Sequence, residues 1–317
     1  MLRAVVFSIF SFCAACCCGE QPIAVSGQVQ LIPAMYPLAD YSLNVDKQTA
    51  PDFGQWSEKD LRDSYDLMQK VTALWRDSRY ADDYLIQGRV GTNQFAWQIV
   101  PYPNEQWRLQ KYWKLLTVLS RVALGAPHLS ASEAQRVASD YRQKMALHYP
   151  KFVKDRSGDK RFDAFCNQKI LDRQTVYEGR LIRVLYDYSP NGGSKDKLHF
   201  LVIPKACRPE FAELTADEYV ELQQTTQKMV EYFRNKGYGT IYLFSNNGPN
   251  SGQTVPHFHQ HFVVVGDESQ ELWSRLYRLK NYLIPTTPLP LPELQEHVAW
   301  HREGLGAYLL TTKENYL

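Results

Sequence analysis

Beyond its first 18 residues the sequence has no apolar run that approaches the length of a membrane span. Four of its six cysteines (Cys13, Cys16, Cys17 and Cys18) fall inside those residues, which leaves Cys166 and Cys207 for the body, too few to build a disulfide-framed fold. Charge of one sign is also missing: 36 Lys and Arg stand against 34 Asp and Glu, a formal net of +2. That balance excludes the global electropositive field of a general nucleic-acid binder, and no nucleic-acid partner is expected. No internal repeat or low-complexity tract is visible. At 44% hydrophobic and 13% aromatic, the 317 residues read as an ordinary globular chain of about two domains, long enough to bury a substantial core.

The N-terminus reads Met1-Leu2-Arg3, an apolar run from Ala4 to Cys18, then polar Gly19-Glu20-Gln21, which is the order of a secretory signal. Cys13-Ala14-Ala15-Cys16 is similar to a bacterial lipobox with Cys13 at the position usually held by Leu or Val, and clustered cysteines beside an apolar run also suit acylation. Residues 1–24 are therefore expected to be a leader, cleaved or serving as a membrane anchor. The rival readings are an uncleaved membrane-associated segment and a misread start or a buried N-terminal strand. With the leader, the protein is exported, periplasmic or membrane-anchored; without it, cytoplasmic.

After a Pro-containing polar stretch to about Asp52, Ser57-Glu58-Lys59-Asp60 starts a helix whose apolar positions (Leu61, Tyr65, Leu67, Met68, Val71, Leu74, Trp75) recur at helical spacing. Tyr84-Leu85-Ile86 and Phe95 to Val100 flank Gly91-Thr92-Asn93 as a β-hairpin ended by Pro101 and Pro103, and helices are expected over about 106–124 and 131–147. Residues 25–155 thus form a mainly helical region with a hairpin and no chemical motif, its tryptophans read as packing. A charged connector, Lys151 to Arg161, leads into residues 156–268, where strands Leu181–Tyr186, Phe200–Pro204, Thr240–Phe244 and His257–Val265 surround a helix opened by Thr215-Ala216-Asp217-Glu218. Residues 269–317 are a C-terminal extension with a helix to about Leu283 and a Pro-rich stretch.

Chemistry concentrates in Ser245 to Val265, which holds three of the eight histidines. On a strand, His257, His259 and His261 would share one face as a row of imidazoles. The preceding loop of Gly, Asn, Pro and Ser has the free backbone N–H groups and permissive dihedrals of a polyanion cradle, and Gln253 and Thr254 add side-chain hydrogen bonds, so a phosphate is the natural guest. An isolated His-x-His-x-His would equally serve as a metal clip, the signature of a three-histidine metal hydrolase, and a lone His199 as a satisfied core histidine.

Gly252-Gln253-Thr254-Val255-Pro256-His257-Phe258-His259-Gln260-His261-Phe262-Val263 resembles the histidine triad (HIT) family. Tyr186-Asp187-Tyr188-Ser189-Pro190 and His199-Phe200-Leu201-Val202-Ile203-Pro204-Lys205 resemble two earlier motifs of that family, in the same order, and Asn246 falls where it keeps a phosphate-side Asn or Gln. The resemblance covers about residues 162–266. It departs from the pattern in Gln260, where an apolar residue is usual, and in four extra residues between Asp187 and His199. Some members carry a zinc site begun by Cys-x-x-Cys and continued by a His after Ile-Pro-Lys; here Asp163-Ala164-Phe165-Cys166 and Lys205-Ala206-Cys207 stand there. Cys166 and Cys207 are accordingly candidates for a structural zinc with substituted ligands, for buried apolar positions, or, after export, for a disulfide.

The resemblance implies an α+β fold, an antiparallel sheet with helices, and a hydrolase acting on a dinucleoside polyphosphate, nucleotide conjugate or phosphoramidate through a covalent nucleotidyl-histidine. It implies His259 as nucleophile, its tautomer set by a carbonyl near His257, with His257, His261 and His199 on phosphate oxygens and proton transfer. Asn246, Gly252, Gln253 and Thr254 would hold phosphate and Asp187 the ribose hydroxyls. No cofactor is implied, and a homodimer through the triad domain is compatible with it. The alternatives are a nucleotidyltransferase or phosphorylase of the same superfamily, whose third triad position is usually Gln rather than His261, and a nucleotide-binding sensor or scaffold with incidental hydrolysis.

Overall fold

Two capping boxes open the two longest helices. The Ser57 hydroxyl accepts from the Asp60 N–H while the Asp60 carboxylate accepts from the Ser57 N–H, and Thr215 and Glu218 repeat the exchange. Each satisfies backbone donors that the first turn leaves open, worth about 1 kcal/mol. The helices they start, α1 (Glu58–Asp77) and α4 (Ala216–Asn235), are both 20 residues long. The computed structural model describes residues 21–49, 52–91, 95–104, 116–118, 120–121, 125–147, 162–190, 197–265 and 287–311. Residues 1–20 of the expected leader, the connector before Phe162 and the helix expected to end near Leu283 lie outside them, as does most of the helix expected at 106–124.

The remaining elements are strands β1 (Ala24–Ser26), β2 (Val29–Pro33), β3 (Leu43–Lys47), β4 (Asp83–Val90), β5 (Ala96–Tyr102), β6 (Thr175–Glu178), β7 (Ile182–Tyr186), β8 (His199–Pro204), β9 (Thr240–Asn247) and β10 (Gln260–Val265). The other helices are α2 (Ala131–Leu147), α3 (Gln168–Gln174), α5 (Leu291–His301) and α6 (Ala307–Thr311), the last two joined by a π-helical turn, Arg302–Gly306. All ten strands form one antiparallel sheet in the order β1-β2-β3-β5-β4-β9-β10-β8-β7-β6.

That order contains a repeat that the sequence conceals. Each half runs hairpin, third strand, capped 20-residue helix, then two more strands, and within the sheet β1-β2-β3-β5-β4 is matched by β6-β7-β8-β10-β9. The halves meet where β4 pairs with β9 from Tyr84↔Asn247 to Val90↔Ile241, an arrangement with approximate twofold symmetry. The second half carries the histidines. In the first half residues 91–95 join β4 to β5, whereas residues 248–259 join β9 to β10, and the strand-register equivalents of His259 and His261 are Ala96 and Gln98.

Three of these strands replace the polar stretch expected before Asp52. Val29, Leu31 and Pro33, and on β3 Leu43 and Val45, are buried; runs this short, spaced by Pro33 and Pro37, carry too few alternations to be read alone. Pro101 does not end its hairpin: β3 pairs with β5 only from Ala96 to Ile99, so no partner on that side needs an N–H at Pro101. Nor is 155/156 a boundary between sheets, since β4 and β9 are joined.

One face of the sheet packs under α1 and α4 in a single core that includes Trp97, Ile99, Leu243, Phe262, Val71 and Phe233. The C-terminal extension joins it through Leu294, Val298, Leu305 and Leu309. The opposite face carries two smaller clusters, one around Leu38, Leu85, Val100 and Val118 with Phe244 against it, the other around Phe165, Leu171, Leu185, Leu201 and Ile203. Strand alternation places His199, His261 and Asn246 on this second face.

Candidate active site

The loop from Gly248 to Phe258 precedes β10 and is braced from within. Gly248 (φ +91°) donates its N–H to Gln253 Oε1 at 2.9 Å, and Gln253 Nε2 donates to the carbonyls of Pro209 (2.6 Å) and His257 (3.3 Å). Gln253 is buried with its amide engaged on both ends, so it shapes the loop instead of presenting the amide to a phosphate. Gly252, in the left-handed conformation at φ +96°, is exposed but its N–H donates to the Pro249 carbonyl at 3.2 Å, and Thr254 is exposed at the loop surface. Asn246 is buried near the end of β9, two residues after Phe244.

His259 lies just before β10 and is 5% exposed. Its Nδ1 is 2.7 Å from the His257 carbonyl oxygen. A carbonyl only accepts, so the proton is on Nδ1 and Nε2 keeps its lone pair. Burial pushes the ring's pKa down to about 4, and the neighbouring histidines reinforce the shift, so the ring is neutral at ordinary pH. An unprotonated, fixed imidazole nitrogen is a nucleophile.

His261 opens a chain of hydrogen bonds. Its ring stacks on Phe244 at 4.3 Å and 12°, its Nδ1 is 2.9 Å from His199 Nε2, and His199 Nδ1 is 3.0 Å from Asp187 Oδ2. Asp187 is buried, and its other oxygen accepts from the Ser189 N–H at 3.0 Å. With the carboxylate accepting from His199 Nδ1–H, His199 Nε2 accepts from His261 Nδ1–H, and His261 is left with a lone pair on Nε2. Burial, reinforced by the neighbouring imidazoles of His259 and His199, holds the His261 ring well below the usual histidine range. The three groups also lie within 4.8 Å of one another, close enough for an ion, but the separations are hydrogen-bond distances and the sequence of donors and acceptors is complete as it stands. Both Asp187 oxygens therefore have protein partners, where the resemblance implied ribose hydroxyls.

His257 does not join the expected row. β10 begins only at Gln260, and the His257 ring, fully buried, turns to a different set of partners. Its Nε2 is 3.1 Å from the Pro204 carbonyl, and its Nδ1 is 3.0 Å from Asp163 Oδ2 and 3.6 Å from Cys166 Sγ. Cys166 and Cys207 are joined as a disulfide. The ligand atoms of Asp163, Cys166, Cys207 and His257 all lie within 4.8 Å of one another. With the sulfurs reduced, that O, S, S, N set, with the histidine's second nitrogen donating to a carbonyl, fits a tetrahedral zinc; oxidised, the sulfurs are spent on each other.

Asp163 and Phe165 were absent from the sequence's candidate residues. Phe165 sets its ring edge-on to His257 (5.8 Å) and His259 (5.5 Å), and Asp163 holds the Phe165 N–H through its other oxygen. Both lie far from the triad in sequence, and only the position of Asp163 at the start of a would-be ligand pair signalled it. Gln260 has a defined place: buried on the helix face, it accepts from Gln223 at 2.9 Å and donates to Thr226 Oγ1 at 3.0 Å, both on α4.

A family model described as "HIT domain" matches residues 168–268. Over 103 residues the chain is 43% identical to a bifunctional bis(5'-adenosyl)-triphosphatase/adenylylsulfatase FHIT of Arabidopsis thaliana, a stretch covering 32% of this chain and 54% of that protein, so the chain spans about half its length. It is 33% identical over 95 residues to a HIT-like protein of Helicobacter pylori, covering 29% of this chain and 84% of that one. A solved uridylyltransferase structure superposes on 96% of this chain and 93% of its own, with a TM-score of 0.52 at 12% identity. That likeness of fold runs through both halves of the sheet.

Proposed function

The chain belongs to the histidine triad family, and from that premise we propose that it cleaves a nucleoside phosphate derivative by way of a nucleotidyl group carried on His259 Nε2. The observation that supports this most is the His259 tautomer: Nδ1–H held by the His257 carbonyl at 2.7 Å, in a ring whose pKa burial pushes down to about 4. In the first step Nε2 attacks the α-phosphorus, the P–N bond forms, the bond to the leaving oxygen or nitrogen breaks, and that atom takes a proton. In the second, water attacks the same phosphorus, the P–N bond breaks and His259 regains its lone pair. His261, with a lone pair on Nε2 and Nδ1 tied through His199 to Asp187, is the group to take the proton of the attacking water in the second step, and the proton that the leaving atom takes in the first step comes from solvent. Thr254 and Asn246 would hold phosphate oxygens. The transfer itself uses no metal. A zinc bound by Asp163, Cys166, Cys207 and His257 would brace the segment leading to the nucleophile and supply no reactive group.

A transferase or phosphorylase reading draws on the uridylyltransferase-like fold; the His at position 261, where such relatives usually carry Gln, supports hydrolysis. The two differ only in what takes the nucleotidyl group. Incubating the protein with dinucleotides, nucleotide sugars and phosphoramidates in ¹⁸O-labelled water, with and without orthophosphate or a hexose phosphate, separates them. Nucleoside monophosphate carrying one ¹⁸O is the expected product, and label-free nucleotide joined to the added acceptor would replace hydrolysis by transfer. The disulfide between Cys166 and Cys207 suits an oxidising compartment, and it supports export of the chain.

A further inference from the structure

The half of the sheet that carries no triad reaches into the site of the half that does. Asp83, the first residue of β4, is buried, and its Oδ2 accepts from the Asn250 N–H at 2.6 Å. On the other side of the same carboxylate lies Gly248: a Cβ there would stand 2.0 Å from Asp83 Oδ1 and 2.3 Å from its Cγ. The carboxylate thus occupies the space left by the glycine side chain and grips the turn Pro249–Ser251 by its backbone.

From that grip a line of contacts runs to the nucleophile. Gly248 donates to Gln253 Oε1, Gln253 donates to the His257 carbonyl, and that same oxygen receives the His259 Nδ1–H. Symmetry does not explain the arrangement. The position that matches Asp83 in the second half is Thr240, whose hydroxyl is buried without a hydrogen-bond partner, and the first half's own 91–95 connection has no counterpart of the 248–259 loop to hold.

We propose that Asp83 is a positioning residue for the phosphate-side loop and, through Gln253 and the His257 carbonyl, for His259. On this view the triad-free half acts as a built-in partner subunit. The kinetic part of the proposal rests on the nucleotidyl-histidine reading; the structural part does not.

The test compares the full chain with its Asp83→Ala, Asp83→Asn and Thr240→Val variants by amide hydrogen exchange and by steady-state kinetics on whichever nucleotide of the panel the wild type turns over. Asp83→Ala is expected to raise exchange over residues 248–254 while β7 and β8 keep their protection. It should also raise KM and lower kcat together, for a combined loss of about 10- to 100-fold in kcat/KM, the scale of one lost hydrogen bond to a charged group. Asp83→Asn, which keeps an acceptor oxygen, should stay within about threefold of wild type, as should Thr240→Val. Unchanged loop exchange in folded Asp83→Ala, or a rise in KM alone, overturns the proposal. If Asp83→Ala does not fold, the wild-type Asn250 amide decides: protection like that of β9 supports the grip, and loop-like exchange overturns it. A wild type that turns over no nucleotide sinks the functional reading, while the exchange measurements still decide the role of Asp83.

Discussion

At the scale of single residues, the site separates histidines that the sequence presents as equals. His259 keeps a free Nε2 and a pKa near 4, His261 passes its Nδ1–H towards Asp187, and His257 is committed to Asp163 and Pro204. The motif announces the residue types, and the one-residue-on, one-residue-off spacing is visible, but which ring turns to which partner depends on where β10 begins and on Asp163, far away in the chain. Asp187 shows the same limit: its place beside the site is legible, its partner is not. Because both its oxygens are engaged, Asp187→Asn should lower kcat/KM by about 1.5–3 kcal/mol and do so equally for ribo- and 2′-deoxyribonucleotide substrates. A ribose ligand would lose mainly the ribonucleotide, so kcat/KM for both sugars on both proteins distinguishes the roles. Since His259 titrates near pH 4, its part of the rate should be level from pH 8 to about 5 and fall only below that, as the nucleophile gains a proton.

At the scale of elements, what could be read was what local chemistry encodes. Ser57-x-x-Asp60 and Thr215-x-x-Glu218 announce the two long helices, and apolar runs announce β7, β8 and β9. What could not be read was set by long-range pairing: β1 to β3 are strands because β5 offers them a ladder, and β10 starts at Gln260 because its pairing with β8 starts at Val202. The Cys166–Cys207 disulfide joins the segment before α3 to the loop after β8, across a sequence separation of 41, with both cysteines beside His257. Closing a loop of that length should stabilise the fold by about 3–4 kcal/mol on the chain-entropy account. Urea unfolding with and without a phosphine reductant, with a chelator in both arms to keep metal from the freed thiols, should show a lower midpoint on reduction. An unchanged midpoint would make the bridge energetically idle.

For the whole molecule, the decisive feature is that β4 covers the β9 edge within one chain, so the second half finds in the first the partner that a homodimer through that edge would otherwise provide. The repeat escaped sequence reading because equivalent strands correspond in pairing and order but not in residues, and the first half has neither the triad histidines nor the long loop before them. The assembled fold also buries neutral histidines, which links its stability to pH. Burial lowers the pKa values of His259 and His301 to about 4 and holds that of His261 well below the usual histidine range. Such groups bind protons more readily in the unfolded chain, so their contribution is full above about pH 6.5 and is lost as pH falls towards 4, by about 1.4 kcal/mol per pH unit for each ring. Asp46, which burial raises to about 6, works in the opposite sense below that pH but is one group against three. The urea midpoint should therefore be lower at pH 5 than at pH 7, with a smaller difference in His301→Phe; equal midpoints would mean that these rings titrate alike in the folded and unfolded chain. The covalent step is tested most directly by intact-protein mass spectrometry with site mapping after rapid quenching of the protein with its nucleotide substrate. A mass increase of one nucleoside monophosphate residue, acid-labile, mapped to His259 and absent from His259→Ala, is the expected result. Turnover by a folded His259→Ala protein, or an adduct on another residue, would contradict it.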